Sequence, residues 1–180
     1  MTFKMVRSKM ALYFSLLCLV LTCAGNVQAD TNETGLFSSI FDESDYVYFQ
    51  TSLATVHFHP KEEHNNKQNL IGIDYHWKSG YLLGASFFKN SFHQSSQFGY
   101  FGRQWDIPNT NDLLYVSLVG GFIHGYRGEH KEEIPFNDHG TAPVVLPLIG
   151  ARYEHFHSQL IVFGLAGFTW TLGYDIPVNW

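Results

Sequence analysis

The chain has 180 residues, of which 45% are hydrophobic and 17% aromatic, while only 15% are charged. That composition excludes a disordered chain, and two cysteines are too few for a disulfide framework. The length suits one domain, and a formal net charge of −5 supplies no basic surface for a nucleic-acid backbone. The sequence therefore argues against a protein that binds DNA or RNA.

The N-terminus has the pattern of a secretory signal peptide over residues 1–29. Three basic residues precede an apolar run over residues 10–21, and the small Ala29 offers a cleavage site. Cys23 leaves lipoprotein processing as an alternative. The apolar run is shorter than the ~20 residues that a membrane-spanning helix needs. Cleavage after Ala29 removes both cysteines and three of the eleven basic residues, so the mature chain is expected to be acidic and secreted.

Beyond residue 29 the sequence alternates apolar and polar residues with the two-residue period of β-strands. No stretch reaches the ~18 consecutive apolar residues of a transmembrane helix. Most alternating runs are near the ~9–11 residues with which a tilted strand crosses a bilayer. We predict eight strands: Tyr46–His57, Leu70–Lys78, Tyr81–Lys89, Ser96–Trp105, Leu113–His124, Pro143–Arg152, Gln159–Leu165 and Phe168–Trp180.

The last run has the clearest alternation, with large apolar residues at every second position from Phe168 to Trp180. A strand of a soluble sandwich can alternate in the same way, but its apolar face would meet a core. Short connections alternate along the chain with longer polar ones, as in barrels with short periplasmic turns and longer outer loops. We therefore predict an all-β fold, an eight-stranded antiparallel transmembrane β-barrel over residues 46–180, in the bacterial outer membrane.

A short segment before the first strand, residues 30–45, is predicted to lie at the membrane surface. Leu36, Phe37, Ile40 and Phe41 recur there at helical spacing, with acidic residues after them. This pattern predicts a short N-terminal amphipathic helix. A disordered leader is the alternative, because a segment this short has weak intrinsic helicity.

Polar residues that could perform acyl transfer follow the first and third predicted strands. His57 ends the first strand, and Asn90 and Ser91 follow the third. Both strands run outward, so all three residues should reach the same rim of the barrel. A histidine there could take the serine proton or orient an ester carbonyl, and an amide could polarise an oxyanion. On spacing alone, ten histidines would also place some beside loop serines by chance.

Four segments of the sequence, read in order, resemble the lipid A palmitoyltransferase family of outer-membrane enzymes. They are ATVHFHP, ASFFKNSFH, SQFGYFGRQW and APVVLPLIGARY, and they span most of the mature chain. Such enzymes move a palmitoyl chain from a phospholipid to lipid A. The resemblance implies an amphipathic helix before eight strands, a phospholipid donor, a lipid A acceptor, and a catalytic set of His57, Asn90 and Ser91.

The sequence departs from the family pattern at Asn90. The family motif is Lys-Asp-Ser, whereas this chain has Lys89-Asn90-Ser91. An amide cannot carry charge or hold an imidazole by a charge-assisted hydrogen bond. It can still donate to an oxyanion or orient a neighbouring group, so the substitution is compatible with an altered mechanism, a different acceptor or an inactive enzyme.

Three further residues are assigned to substrate binding by the resemblance. Gly102 matches a position whose small side chain sets the depth of the hydrocarbon pocket, although strand glycines also relieve crowding. Pro143 and Pro147 each remove a hydrogen-bond donor from the wall, and in the family such prolines mark routes by which lipids enter. A plain strand start would also explain Pro143.

These observations lead to one main hypothesis and two alternatives. The main hypothesis is a monomeric outer-membrane lipid A acyltransferase that transfers palmitate from phospholipid and needs no cofactor. The first alternative is a lipid A or phospholipid esterase that uses the same serine and histidine, and the second is a non-catalytic small outer-membrane barrel. No metal site is predicted, because the pairs His57/His59 and His155/His157 have no third ligand that the sequence identifies.

Overall fold

A computed structural model of the chain describes residues 44–60, 62 and 64–178. The predicted signal peptide, most of the predicted amphipathic segment and the terminal Trp180 lie outside the described residues. Among the residues described, no helix has both the length and the apolar character needed to span a membrane.

The described residues form a closed antiparallel barrel in which consecutive strands are neighbours and the last strand pairs with the first. This confirms the predicted all-β, eight-stranded antiparallel fold. The strands are β1 (Tyr46–His57), β2 (Ile71–His76), β3 (Tyr81–Lys89), β4 (Ser95–Asp106), β5 (Leu114–His124), β6 (Thr141–Tyr153), β7 (Phe156–Val162) and β8 (Gly167–Pro177).

The alternation of β8 places small polar residues inside the barrel and large apolar residues outside. Thr169 and Thr171 are fully buried, whereas Trp170 and Leu172 are exposed on the outer surface. Other strands repeat this arrangement, so exposed apolar side chains surround the barrel: Phe49, Leu53, Val56, Ile71, Ile73, Leu83, Phe87, Phe101, Phe122, Val145, Ile149, Leu160, Tyr174 and Ile176.

A bulge in β1 reverses which residues face inward. The register against β8 shifts between Ser52 and Ala54, so Leu53 is an extra residue in β1. Before the bulge the buried residues are Tyr48 and Gln50, at even positions; after it they are Thr55 and His57, at odd positions. His57 therefore points into the barrel because of this one additional residue.

The barrel interior has an apolar part and a polar part. The apolar cluster lines the wall from β3 to β6 and contains Leu82, Phe98, Tyr100, Val119, Ile123 and Ala142, with Phe88, Val144, Leu146 and Leu148 packed against it. Toward the end where β1 begins, Tyr48, Tyr100 and Tyr115 lie against Gly173, Gly84 and Gly150. Side chains such as Asp74, His76, His157 and Asp175 fill the space between these rings and form a polar floor.

The two ends of the barrel differ in the length of their connections. The start of β1 and the end of β8 share one end with the turns after β2, β4 and β6, at residues 77–80, 107–113 and 154–155. At the opposite end, which we call the rim, lie residues 58–70, 90–94 and 125–140, the last including a 3₁₀ helix at Gly128–Glu133. The connection from β7 to β8 is also at the rim but spans only residues 163–166, so the alternation of short and long connections is incomplete.

Candidate active site

A hydrogen bond joins His57 and Ser91 at the rim. His57 is the last residue of β1 and Ser91 follows β3 by two residues, so the parallel outward direction of these strands brings both to one level. The Nε2 atom of His57 lies 2.8 Å from Oγ of Ser91. His57 is buried and Ser91 half-buried, so the pair sits just inside the rim. A serine and a neutral imidazole at this distance can act as nucleophile and general base.

Asn66 holds the other nitrogen of the His57 ring. Its Oδ1 atom lies 2.9 Å from Nδ1 of His57. An amide oxygen only accepts, so Nδ1 carries the proton and Nε2 is left free to accept the proton of Ser91. Ser91, His57 and Asn66 therefore form a hydrogen-bonded chain, the arrangement that a nucleophile, a general base and an orienting group require. Sequence reasoning missed Asn66, and the only available signal was an amide-rich loop following His57.

Asn90 organises the turn that carries Ser91. Its side chain is fully buried, and Oδ1 accepts hydrogen bonds from the backbone N–H of Phe92 at 2.9 Å and of Gln94 at 3.0 Å. Its Nδ2 donates to Oε1 of Gln94 at 3.3 Å. These contacts close a turn in which His93 has φ 61°, in the left-handed region. Within the described residues, the hydrogen bonds of the Asn90 side chain go to this turn, while Asn66 occupies the position beside His57.

The loop over residues 58–70 is fastened to this turn through Asn65. The Asn65 N–H donates to the carbonyl of Ser91 at 2.8 Å, and its buried Nδ2 donates to the carbonyl of Asn90 at 3.2 Å. At the end of the loop, the carbonyl of Gln68 accepts the N–H of Lys89 at 2.7 Å. The alignment of His57, Asn66 and Ser91 thus depends on two loops that are hydrogen-bonded to each other.

Aromatic rings from three connections surround the pair, and we call them the aromatic cover: His64, Phe92, Tyr126 and His130. The ring of His64 lies 4.4 Å from that of His57, and Phe92 stacks on His130 at 3.9 Å. Tyr126 packs edge-on against Phe92 at 6.3 Å. The His64 ring thus covers one side of the buried His57 imidazole.

Gly102 lies inside the barrel against the neighbouring strand β5. A methyl group at this position would lie 2.8 Å from Cα of Val119 and still closer to the carbonyl of Leu118. Since these contacts are with backbone atoms, the absence of a side chain permits the close approach of β4 and β5. The structure thus gives a packing reason for Gly102, alongside the role in pocket depth that the resemblance implies.

Pro143 and Pro147 both lie within β6, which begins at Thr141. The pairing of β6 with β5 passes through both prolines without a break. On its other side, β6 pairs with β7 only from Leu148 to Tyr153. The two prolines are four residues apart, so the backbone N–H groups that both lack would face the same neighbouring strand. That neighbour is β7. In the described part of the chain, residues 141–147 of β6 are thus without a ladder on that side, and we call this gap the β6–β7 seam.

The histidine pair His155/His157 singled out in the sequence contacts a carboxylate. His155 and His157 both hydrogen-bond Asp175, each at 2.7 Å, at the end of the barrel opposite Ser91. Among residues 44–60, 62 and 64–178, no group of three His, Cys, Asp or Glu side chains is arranged to hold a metal ion.

Comparison of the chain with models of known protein families finds no match, and comparison with curated proteins finds none either. The assignment of function therefore depends on the geometry of the barrel and its rim.

Proposed function

We propose that the protein is an outer-membrane lipid A acyltransferase that moves a palmitoyl chain from a phospholipid to lipid A. The observation that carries the proposal is the 2.8 Å hydrogen bond between His57 and Ser91 at the rim of a closed barrel. The resemblance of four sequence segments to the lipid A palmitoyltransferase family supports the choice of substrates.

The outer surface of the barrel supports a membrane location. Large apolar side chains point outward on every strand, for example Ile71 at 67% and Phe122 at 66% exposure. A water-soluble protein rarely leaves so continuous an apolar surface exposed. Tyr81, Tyr153 and Tyr174 are exposed toward the end where β1 begins and β8 ends, as expected for aromatic residues at a membrane interface.

The proposed reaction begins with attack of Ser91 Oγ on the ester carbonyl of the phospholipid, while the Ser91 proton passes to Nε2 of His57. The tetrahedral intermediate then expels the lysophospholipid oxygen, which takes this proton from His57. A hydroxyl group of lipid A attacks the acyl-serine ester and gives its proton to His57. Departure of Ser91 Oγ, which recovers the proton, completes the transfer.

The apolar cluster below the rim supports an acyl chain as the transferred group. Phe98 and Ile123 lie on the inner wall at this level, and Leu146 and Val144 pack against them. An eight-stranded barrel has room for side chains or one slender ligand. The polar floor, with Asp74 and His157 buried among the tyrosine rings, fills the interior below the apolar cluster. It therefore argues against passage of a solute.

The β6–β7 seam supports a lipid substrate. Residues 141–147 of β6 lack a ladder toward β7, and Val144 and Leu146 of this segment border the apolar cluster. An acyl chain that enters here can stay in an apolar environment from the bilayer to the interior. This avoids the cost of about 0.8 kcal/mol for each methylene group exposed to water.

The test is mass spectrometry of lipid A from a Gram-negative host that expresses the protein or its Ser91→Ala or His57→Ala variant. Ser95→Ala is a matched control, because Ser95 is exposed at the start of β4 and accepts a hydrogen bond from Lys89. We expect a gain of one palmitoyl mass with the wild type and Ser95→Ala, and loss of that gain with the other two variants.

Each other result contradicts the proposal in a defined way. Transfer that persists in both Ser91→Ala and His57→Ala excludes the proposed chemistry. Loss of an acyl chain from lipid A, or release of free fatty acid, selects the esterase, in which water replaces the lipid A hydroxyl. An unchanged lipid profile with correctly assembled barrels selects a non-catalytic protein.

A further inference from the structure

Arg127 places a positive charge at the rim. Its Nη2 atom donates a hydrogen bond to Nε2 of His124. Because a guanidinium group only donates, Nε2 of His124 is the acceptor, and the N–H at Nδ1 donates to Oγ1 of Thr141 at 2.8 Å. His124 in this state is neutral and holds Arg127 without cancelling its charge. In the described part of the chain, no carboxylate contacts the guanidinium group, and the carboxylate of Glu129 lies 3.7 Å from Nε2 of His130.

The position of Arg127 is fixed by the turn that carries Ser91. The Arg127 N–H donates to Oε1 of Gln94, and Nε2 of Gln94 donates to the Arg127 carbonyl, both at 3.1 Å. Gln94 is in turn held by Asn90, whose Oδ1 accepts the Gln94 N–H at 3.0 Å and whose own N–H donates to the Gln94 carbonyl at 2.9 Å. Since Ser91 directly follows Asn90, these hydrogen bonds hold Arg127 beside the turn of Ser91.

A glycine leaves room for the stem of the Arg127 side chain. A methyl group on Gly140 would lie 3.0 Å from Cγ of Arg127 and 3.5 Å from Cε1 of His124. Gly140 has φ 87°, in the left-handed region that favours glycine, and its carbonyl accepts the N–H of Gly125 at 2.9 Å. Arg127 itself is exposed. Within the residues described, His124 is the one hydrogen-bond partner of its guanidinium group, so most of the N–H donors are available to a ligand.

An exposed guanidinium group with available donors is suited to a phosphate group. Its planar fork matches two phosphate oxygens, and the charge-assisted hydrogen bonds that form are about twice as strong as neutral ones. Both lipids of the proposed reaction carry phosphate, the phospholipid on its glycerol and lipid A on its sugars. An acyl chain held in the apolar cluster would place the head group of its own lipid at the rim, near Arg127.

We propose that Arg127 binds a phosphate group of a lipid substrate and so determines how that lipid is held beside Ser91. The identity of the lipid rests on the proposed acyl transfer, whereas the binding of phosphate is a separate claim. The guanidinium group supplies affinity and takes no part in the covalent steps. Its loss is therefore expected to raise KM and to leave kcat almost unchanged.

The first test is isothermal titration calorimetry of purified full-length protein with lipids in mixed detergent micelles. A Ser91→Ala background keeps acyl transfer from contributing heat. The probes are lipid A, dephosphorylated lipid A, dipalmitoyl phosphatidylcholine and dipalmitoylglycerol. We expect Arg127→Gln to raise Kd about 10- to 100-fold for the phosphate-bearing lipid that the site binds, and to leave Kd for its phosphate-free counterpart unchanged. A loss with lipid A identifies the acceptor as the ligand, and a loss with phosphatidylcholine identifies the donor.

Lys131→Gln is the matched control, because it removes the same charge from an exposed residue of the same loop. We expect it to bind all of these lipids like the parent protein. Arg127→Lys keeps the charge but loses the planar fork, so its Kd should be intermediate. With Ser91 intact, Arg127→Gln should raise KM for the phosphate-bearing lipid by the same factor as Kd and keep kcat within about twofold.

The outcomes separate the two proposals. Parent affinity for both phosphate-bearing lipids in Arg127→Gln would overturn the phosphate site. An equal loss of affinity in Lys131→Gln would also overturn it, because the effect would then belong to the net charge of the loop. An equal loss for the phosphate-free lipids would do the same, because the substitution would then disturb the whole rim. If Ser91→Ala transfers palmitate like the wild type, the proposed transfer at Ser91 fails, whereas the binding result for Arg127 stands.

Discussion

Asn66 Oδ1 lies 2.9 Å from Nδ1 of His57, on the side of the imidazole opposite Ser91. The contact joins an exposed loop residue to the buried end of β1, and it determines which ring nitrogen is free to accept a proton. The group that orients the His57 imidazole is therefore supplied by the loop over residues 58–70.

We expect Asn66→Ala to lower kcat for palmitoyl transfer about tenfold, because the imidazole loses its orienting partner but keeps its contact with Ser91. Lys67→Ala, which alters a neighbouring exposed side chain, should keep the wild-type rate. The measurement is steady-state transfer in micelles. Equal rates for Asn66→Ala and the wild type would exclude an orienting role for Asn66.

Asn66→Asp should shift the pH dependence of transfer. A carboxylate beside Nδ1 stabilises the protonated imidazole, whereas the proposed base is active only when neutral. A higher pH is then needed to deprotonate the base, so the acid limb of the rate profile should move to higher pH. The profile of kcat/KM measured from pH 5 to 9 checks this, and a limb that stays in place or moves to lower pH contradicts it.

Asn90→Ala should loosen the turn that carries Ser91. The substitution leaves the N–H groups of Phe92 and Gln94 without their acceptor, at a cost of about 1–3 kcal/mol for each group that remains buried. We expect hydrogen exchange at these two amides to become about 10- to 100-fold faster. Asn90→Asp keeps an acceptor for both and should retain slower exchange than Asn90→Ala. Similar exchange in Asn90→Ala and the wild type would show that other contacts hold the turn.

Gly102→Ala should destabilise the barrel, whereas Gly99→Ala on the same strand should not. A methyl group at Gly102 meets the backbone of β5, and forced packing of this kind costs about 1–3 kcal/mol. At Gly99 a methyl group meets nothing within 4 Å. Guanidinium unfolding in micelles measures the free energy of unfolding of both variants. Equal midpoints would show that β4 and β5 can move apart at Gly102 without cost.

Tyr100→Phe tests the polar floor. The hydroxyl of Tyr100 donates to Oδ1 of Asp74, and Nε2 of Gln50 donates to Oδ2 of the same carboxylate at 3.1 Å. Removal of one donor from a buried carboxylate should lower the free energy of unfolding by about 2 kcal/mol. Tyr174→Phe, on the outer surface, is the control. A similar unfolding free energy for Tyr100→Phe and Tyr174→Phe would mean that Asp74 has another partner.

The fold could be predicted from the sequence because most strands separate apolar outward-facing residues from smaller or polar interior residues. β1 and β3 have their predicted limits, since large apolar residues alternate clearly along them. β7 begins at Phe156, three residues before its predicted start. Its first half has Ser158 on the outer face and the polar His157 and Gln159 on the inner face, so the two faces differ little in polarity.

The positions of site residues could be predicted only for residues that lie at or next to the end of a strand. His57 and Ser91 follow strand ends, so topology alone places them at one rim. Asn66 and Tyr126 lie within long loops, where no periodicity relates sequence position to space. Their places depend on hydrogen bonds made by Asn65 and Gln94, which only the folded chain reveals.

The bulge at Leu53 has a genetic consequence. Loss of the codon for Leu53 would restore regular alternation in β1 and turn the imidazole of position 57 outward, away from the barrel interior. Every side chain of the site would still be encoded, and the outer surface would lose one leucine. A single in-frame deletion, without any substitution, would thus keep the barrel but remove the imidazole from its contact with Ser91.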